Sequence, residues 1–175
     1  LNILIPLLVY SPTDTVVVDT VAIQAPIKMA SSLQEQPVAA TSFTLSAIDN
    51  LQISSVKDVS ATAPNFFQPK YGSRITSTIY IRGFGSRMDQ PAVGLIIDNV
   101  PIMNKNAFDF DFFDIRRIDV LRGPQGTLYG RNSNGGIMNI YTLSPMVWQG
   151  LRVKTEFDSE FSTKASVSYY SKPKD

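Results

Sequence analysis

Apolar and polar positions change rhythm several times along the chain. Apolar residues first run together from Leu1 to Val9, too short a stretch to span a bilayer as a helix, which needs about 20 residues. The run reads either as the tail of a secretory apolar segment or as a buried N-terminal strand. Thr13 to Thr20 is β-branched between polar flanks and reads as extended chain. Gln24 to Gln36 is mixed and polar, with Pro26 inside it and Pro37 after it, and is expected to be a loop. Val38 to Thr44 suits a strand, and Leu45 to Leu51 and Ser55 to Ala63 suit two short helices. Ser55 is placed to cap the second helix, with Asp58 at its third position, and Pro64 ends it because the residue before proline is pushed out of the helical region.

From Ser77 the period shortens to two. Ile79 and Ile81 fall on one face and Tyr80 and Arg82 on the other. Val93 to Ile97 is apolar on both faces, as in a central strand. Asp98-Asn99 is a turn pair, since both tolerate the left-handed conformation. Phe108 to Phe113 alternates Phe with Asp and predicts a loop or a single helical turn. Ile118 to Leu121 and Ile137 to Thr142 predict strands, with a tight helical turn over Pro124 to Tyr129 between them. Strands, two helices and more strands indicate an α+β sheet domain. After Pro145, Leu151, Val153, Thr155 and Phe157 alternate with Arg152, Lys154, Glu156 and Asp158, and Val167 and Tyr169 continue the dyad after a turn. This is either a soluble hairpin with one wet face or the lipid-out, lumen-in alternation of a membrane barrel.

Composition narrows the chemistry. The chain has 175 residues, no Cys and no His. Thiol nucleophiles, imidazole bases, disulfides and the usual zinc and haem ligands are therefore all missing. A net charge of +1, with basic residues interspersed among acids, gives no phosphate-binding face, so no nucleic-acid partner is indicated. Gly123 to Gly136 follows a strand as a phosphate loop would, but neither the Walker nor the dinucleotide glycine spacing is present. No cofactor is implied.

Four blocks carry a family resemblance. They are Ile81 to Gly85 (Ile-Arg-Gly-Phe-Gly), Leu95 to Pro101, Ile118 to Gly130 with Leu-Arg-Gly-Pro-Gln-Gly at its centre, and Gly135 to Ile140. In order and spacing the chain resembles the plug of TonB-dependent outer-membrane receptors. Val59 to Phe66, with Ala63-Pro64-Asn65-Phe66, resembles the family's helix-to-Pro-Gly-Val segment, and Asp14-Thr15-Val16-Val17-Val18 resembles its TonB box. The chain departs from the family pattern at Asn65 and Asn99, each in place of Gly, at Asp119 in place of Glu, and at Leu143 where a basic residue is common.

The resemblance implies an α+β plug domain, a mixed four-stranded β-sheet with short helices, followed by the first strands of a transmembrane β-barrel of about 22 strands. It divides the chain into a signal-peptide remnant at 1–12, a TonB box and N-terminal segment at 13–37, the plug at 38–145 and the start of the barrel at 146–175. It implies TonB-dependent import of a scarce nutrient (ferric siderophore, haem, cobalamin or oligosaccharide) across the bacterial outer membrane, and no enzymatic activity. Its partners would be the periplasmic TonB C-terminal domain, the chain's own barrel wall, a small-molecule or metal-chelate ligand, and the outer membrane. Arg82 and Arg122 would lock the plug against acidic side chains of the wall. Tyr71, Arg87, Gln90, Asn104 and Phe108 would lie in ligand-contacting apex loops. On the residues alone, Arg82 and Arg122 can equally be surface arginines, Val17 to Ile23 can be the domain's own first strand, and the fold can serve as a soluble binding module.

Overall fold

A computed structural model describes residues 22–24, 30–32, 38–69, 78–86, 90–108, 110–157 and 163–171. The chain divides into two compact units, one over Asp19–Thr142 and one that includes Leu143–Asp175. In the first unit, β1 (Ala22–Gln24) pairs antiparallel with β2 (Ala30–Ser32). A small hairpin thus stands where the polar composition predicted a loop. β3 (Ala39–Thr44) leads into α1 (Leu45–Asn50) and α2 (Val56–Thr62). The short strands β4 (Phe66–Phe67) and β5 (Tyr80–Ile81) pair with each other. β6 (Val93–Ile97) and β7 (Val100–Ile102) form a hairpin, a 3-10 turn follows at Lys105–Ala107, and β8 (Ile115–Arg122), α3 (Gly126–Tyr129) and β9 (Gly136–Thr142) complete the unit.

The main sheet has five strands in the order β3-β8-β9-β6-β7, and only the β6–β9 pair is parallel. The resemblance implied four. The fifth is the short β7, produced by the turn at Asp98-Asn99. Both residues have positive φ, 45° and 67°, as a two-residue type I′ hairpin loop requires. The Asp98 carboxylate also accepts from Thr142 N at 2.9 Å and Thr142 Oγ1 at 2.6 Å, tying the turn to the end of β9.

Alternation decides what each face of the sheet buries. Phe43, Leu95, Ile118, Val120, Met138 and Ile140 point to one side and share a core with Ile48, Val56 and Val59 of the helices. Burying one such side chain fully contributes about 1.5–3 kcal/mol. A register shift between Ile115 and Arg117 returns Ile115 to this face, as a β-bulge does. The opposite side buries Ile96, Leu121 and Ile137, with Val38, Ala40 and Tyr129 packed on them. The helix cap works in a way the sequence only half showed. Ser55 makes no side-chain bond to the helix backbone. Instead the Asp58 carboxylate reaches back and accepts from Ser54 N, Ser54 Oγ and Ser55 Oγ at 2.9, 2.9 and 3.0 Å.

The second unit contains one hairpin, β10 (Gly150–Phe157) with β11 (Thr163–Tyr170), in antiparallel register from Gly150↔Tyr170 to Phe157↔Thr163. Leu151, Val153, Val167 and Tyr169 share one face, because Leu151 pairs with Tyr169 and Val153 with Val167. Leu151, Val167 and Tyr169 are exposed large apolar groups. On the other face Trp148 packs edge-on against Tyr170, with ring centroids 5.6 Å apart.

Candidate functional site

The glycine-punctuated blocks, separated by up to fifty residues in sequence, meet at one end of the main sheet. Ile81 N donates to Phe84 O and Phe84 N to Ile81 O, at 3.0 and 2.9 Å. They close a tight turn whose central residues, Arg82 and Gly83, both have positive φ, 53° and 78°. Arg82 therefore sits at a turn tip rather than at the end of the longer strand that the alternation from Ser77 predicted. Gly123 N donates to Gly135 O at 3.1 Å, and Gly135 N to Ala92 O at 2.8 Å, which fasten the end of β8 to the starts of β9 and β6. A Cβ added at Gly135 would stand 3.0 Å from the Phe84 ring, so a side chain there would crowd the turn that carries Arg82.

This packing brings the two expected arginines together. Arg122 is half-buried and Arg82 is exposed. Arg82 Nη1 lies 3.8 Å from where a Cβ of Gly123 would stand, one residue past Arg122. Arg122 Nη1 donates to Pro64 O at 2.8 Å. Its Nε is buried and has no acceptor. Among the described residues neither arginine is paired with a carboxylate. Beside Arg82 opens a surface pocket of about 340 Å³ between Asn65, Phe67, Pro69, Tyr80 and Arg82. A guanidinium left without an anion can take a carboxylate through two parallel N–H donors.

The expected ligand-contacting residues fare differently. Gln90 is exposed and accepts from Arg131 Nη2 at 3.3 Å, which places Arg131, a residue that no motif singles out, beside it. Asn104 is exposed, and its Oδ1 accepts from Asn106 N at 3.0 Å, holding the 3-10 turn. Phe108 does not belong with them. It is 0% exposed and part of the main core, because the loop folds its ring under the sheet instead of presenting it. Tyr71, Arg87 and the segment Asp14-Thr15-Val16-Val17-Val18 lie outside the described residues. The register Val93↔Gly136 and Arg122↔Gly136 puts the loops of Gln90 and Arg131 at the same end of the sheet as Arg122. The expectation had treated these groups as separate.

A second polar cluster lies on the sheet face away from α1 and α2. Arg117 donates through Nε and Nη2 to the Asp119 carboxylate at 2.9 and 2.5 Å, and Asp119 is 0% exposed. The Arg117 guanidinium carbon lies 5.3 Å from the centre of the Tyr141 ring, and Asn139 Nδ2 donates to the Tyr129 hydroxyl at 3.2 Å. Burial and then the negative charge of Asp119 push the Tyr141 hydroxyl up to about 12, and burial raises Tyr129 as well. A tyrosine held protonated by the fold binds more protons folded than unfolded, so stability falls as pH rises past its ordinary value near 10. Thermal melts should show this loss between pH 10 and 12, and Tyr141→Phe should flatten it. An unchanged pH slope in that variant would contradict the assignment.

Comparison with known proteins identifies the family and the fold. A family model described as TonB-dependent Receptor Plug Domain matches residues 32–137. The chain belongs to that family. The pesticin receptor of Yersinia pestis is 30% identical over 146 residues, covering 82% of this chain and 22% of the relative. The ferric yersiniabactin uptake receptor FyuA from Yersinia pestis is similar in structure with a TM-score of 0.59 and 29% identity, over 68% of this chain and 20% of that one. The closed form of the ferric-catecholate import receptor Fiu from E. coli K12 has a TM-score of 0.62 over 85% of this chain and 21% of that one, at 21% identity, a likeness of fold. The chain thus spans about a fifth of the length of these relatives.

Proposed function

We propose that this chain is the plug and first barrel hairpin of a longer receptor that imports a scarce nutrient across the bacterial outer membrane, drawing on TonB. The observation that carries this is that Arg82 and Arg122 are tied to consecutive carbonyls of one turn, Asn65 and Pro64, and left without a carboxylate among the described residues. Acidic side chains on the inner wall of a barrel would complete the site and hold the plug in the lumen. The hairpin supports the same reading. Its Leu151, Val167 and Tyr169 face stays exposed, as a lipid-facing stripe would, while Arg152 and Lys154 alternate to the other side. The relatives are named as receptors, and two are named for uptake of ferric chelates. A ferric siderophore is accordingly the proposed cargo, met by the loops that carry Gln90 and Asn104. Import without chemical change of the cargo needs no catalytic group.

Asp14 to Val18 would pair edge-on with the periplasmic TonB domain as an added strand. In the full-length receptor, Val16→Pro should abolish uptake of the iron chelate while leaving its binding intact, because proline removes one ladder donor. Uptake of labelled chelate by cells, beside binding at 0 °C, measures both. Normal uptake by the variant would overturn the TonB-box assignment.

A further inference from the structure

We propose that the Pro64–Asn65 turn is the positioning element of the two-arginine site, setting both arginines from one point of the backbone. The inference rests on the reading of Arg82 and Arg122 as the plug's catch on the barrel wall. Consecutive carbonyls of this turn each hold one of them. Pro64 O accepts the Arg122 guanidinium at 2.8 Å, and Asn65 O accepts the backbone N–H of Arg82 at 2.9 Å. The first bond fixes the guanidinium itself. It occupies Nη1 and leaves Nε, buried and without an acceptor, as the donor that an incoming carboxylate would satisfy. The second bond fixes the turn at whose tip Arg82 stands.

The turn is itself held from both sides. Ala63 and Phe66, which flank it, are 5% and 3% exposed and sit in the main core. Ala63 N still bonds Val59 O at 2.7 Å, so the turn starts from the last hydrogen bond of α2. Between these anchors the chain reverses through Asn65, whose φ is 57°. The Asn65 side chain is exposed and makes no hydrogen bond among the described residues. What the position requires is therefore the left-handed backbone, which aims the two carbonyls, and Asn or Gly supplies it where a β-branched residue cannot.

The test uses the full-length receptor in planar lipid bilayers, with ion conductance as the leak and chelate affinity measured alongside. Asn65→Gly should be as tight as the unaltered receptor. Asn65→Val should raise the leak about tenfold, to the level of the Arg82→Ala/Arg122→Ala double variant, and should add nothing when combined with it, as residues acting through one another do. Chelate affinity should stay unchanged throughout. Asn65→Ala, a milder change in case the valine variant fails to assemble, should leak measurably. A tight Asn65→Val or Asn65→Ala receptor overturns the inference, as does a valine leak that adds to that of the double variant. If the double arginine variant is itself tight, the reading of the arginines as a catch fails, and the positioning role falls with it.

Discussion

Asp119→Ala is expected to cost the folded plug about 3–5 kcal/mol, because it strands a charge instead of merely deleting a contact. Arg117 has a side chain only 13% exposed and donates from Nε and Nη2 to Asp119. Without the carboxylate its remaining neighbour on that face is the Tyr141 ring, a far weaker partner for a cation. The register neighbours offer only neutral acceptors in its place. Asp119 pairs in register with Ser42 on one side and Asn139 on the other, and Ser42 Oγ and Asn139 Oδ1 are already buried without partners. Urea unfolding of this chain should show the loss as a lower midpoint. Since small domains have about 5–15 kcal/mol in total, roughly a fifth or more of the stability would go. Removing both charges together, as Arg117→Met with Asp119→Leu, should restore most of it, because a buried pair adds little net stability over apolar groups of similar volume. A single-variant loss below about 1 kcal/mol would show that Arg117 finds water or another anion.

The elements that the sequence made legible are those whose cause is local. The type I′ turn at Asp98-Asn99 follows from two residues that tolerate positive φ, and the end of α2 follows from Pro64. β6 was readable as central because it is apolar on both faces, and four of its five residues are indeed buried. The features that were not legible depend on long-range packing. Phe108 and its neighbours alternate with Asp, a pattern that suits a loop, a helical turn or packing against the sheet, and only the path of the chain beneath the sheet decides that the Phe108 ring is in the core. β5 stops at Ile81 although the alternation continues, because Arg82 turns left-handed to bond Asn65 O. The Arg117–Asp119 pair was available in principle, since residues two apart on a strand share a face. The sequence marked Asp119 only as a departure from the usual Glu. The sequence resemblance points to the two arginines as residues, but the turn they share depends on Pro64, and no sequence spacing links positions 64 and 122.

Gly136→Ala should be as damaging as loss of Asp119, for a purely steric reason. Gly136 opens β9 with φ at +141°, and a Cβ there would stand 2.4 Å from Leu121 O and 2.9 Å from Ile81 Cδ1. The isoleucine tip can swing aside, but the carbonyl belongs to the β8 backbone, where Leu121 and Arg122 pair with Ile137 and Gly136. Backbone strain at positive φ and overpacking together amount to a loss on the order of 4 kcal/mol, readable as a lower urea midpoint. Gly126→Ala is the matched control. It has no neighbour within 4 Å of the new Cβ and lies in α3, so it should be neutral or slightly stabilising. The larger consequence concerns the site. The strand end that must move apart carries Arg122, and the residue pressed from the other side, Ile81, precedes Arg82. One methyl group at Gly136 therefore drives the two arginines away from their common turn. In the full-length receptor it should raise the leak in parallel with the loss of stability. A destabilised variant that stays tight would mean that the catch tolerates displacement of both arginines, and would count against the geometric account of the site.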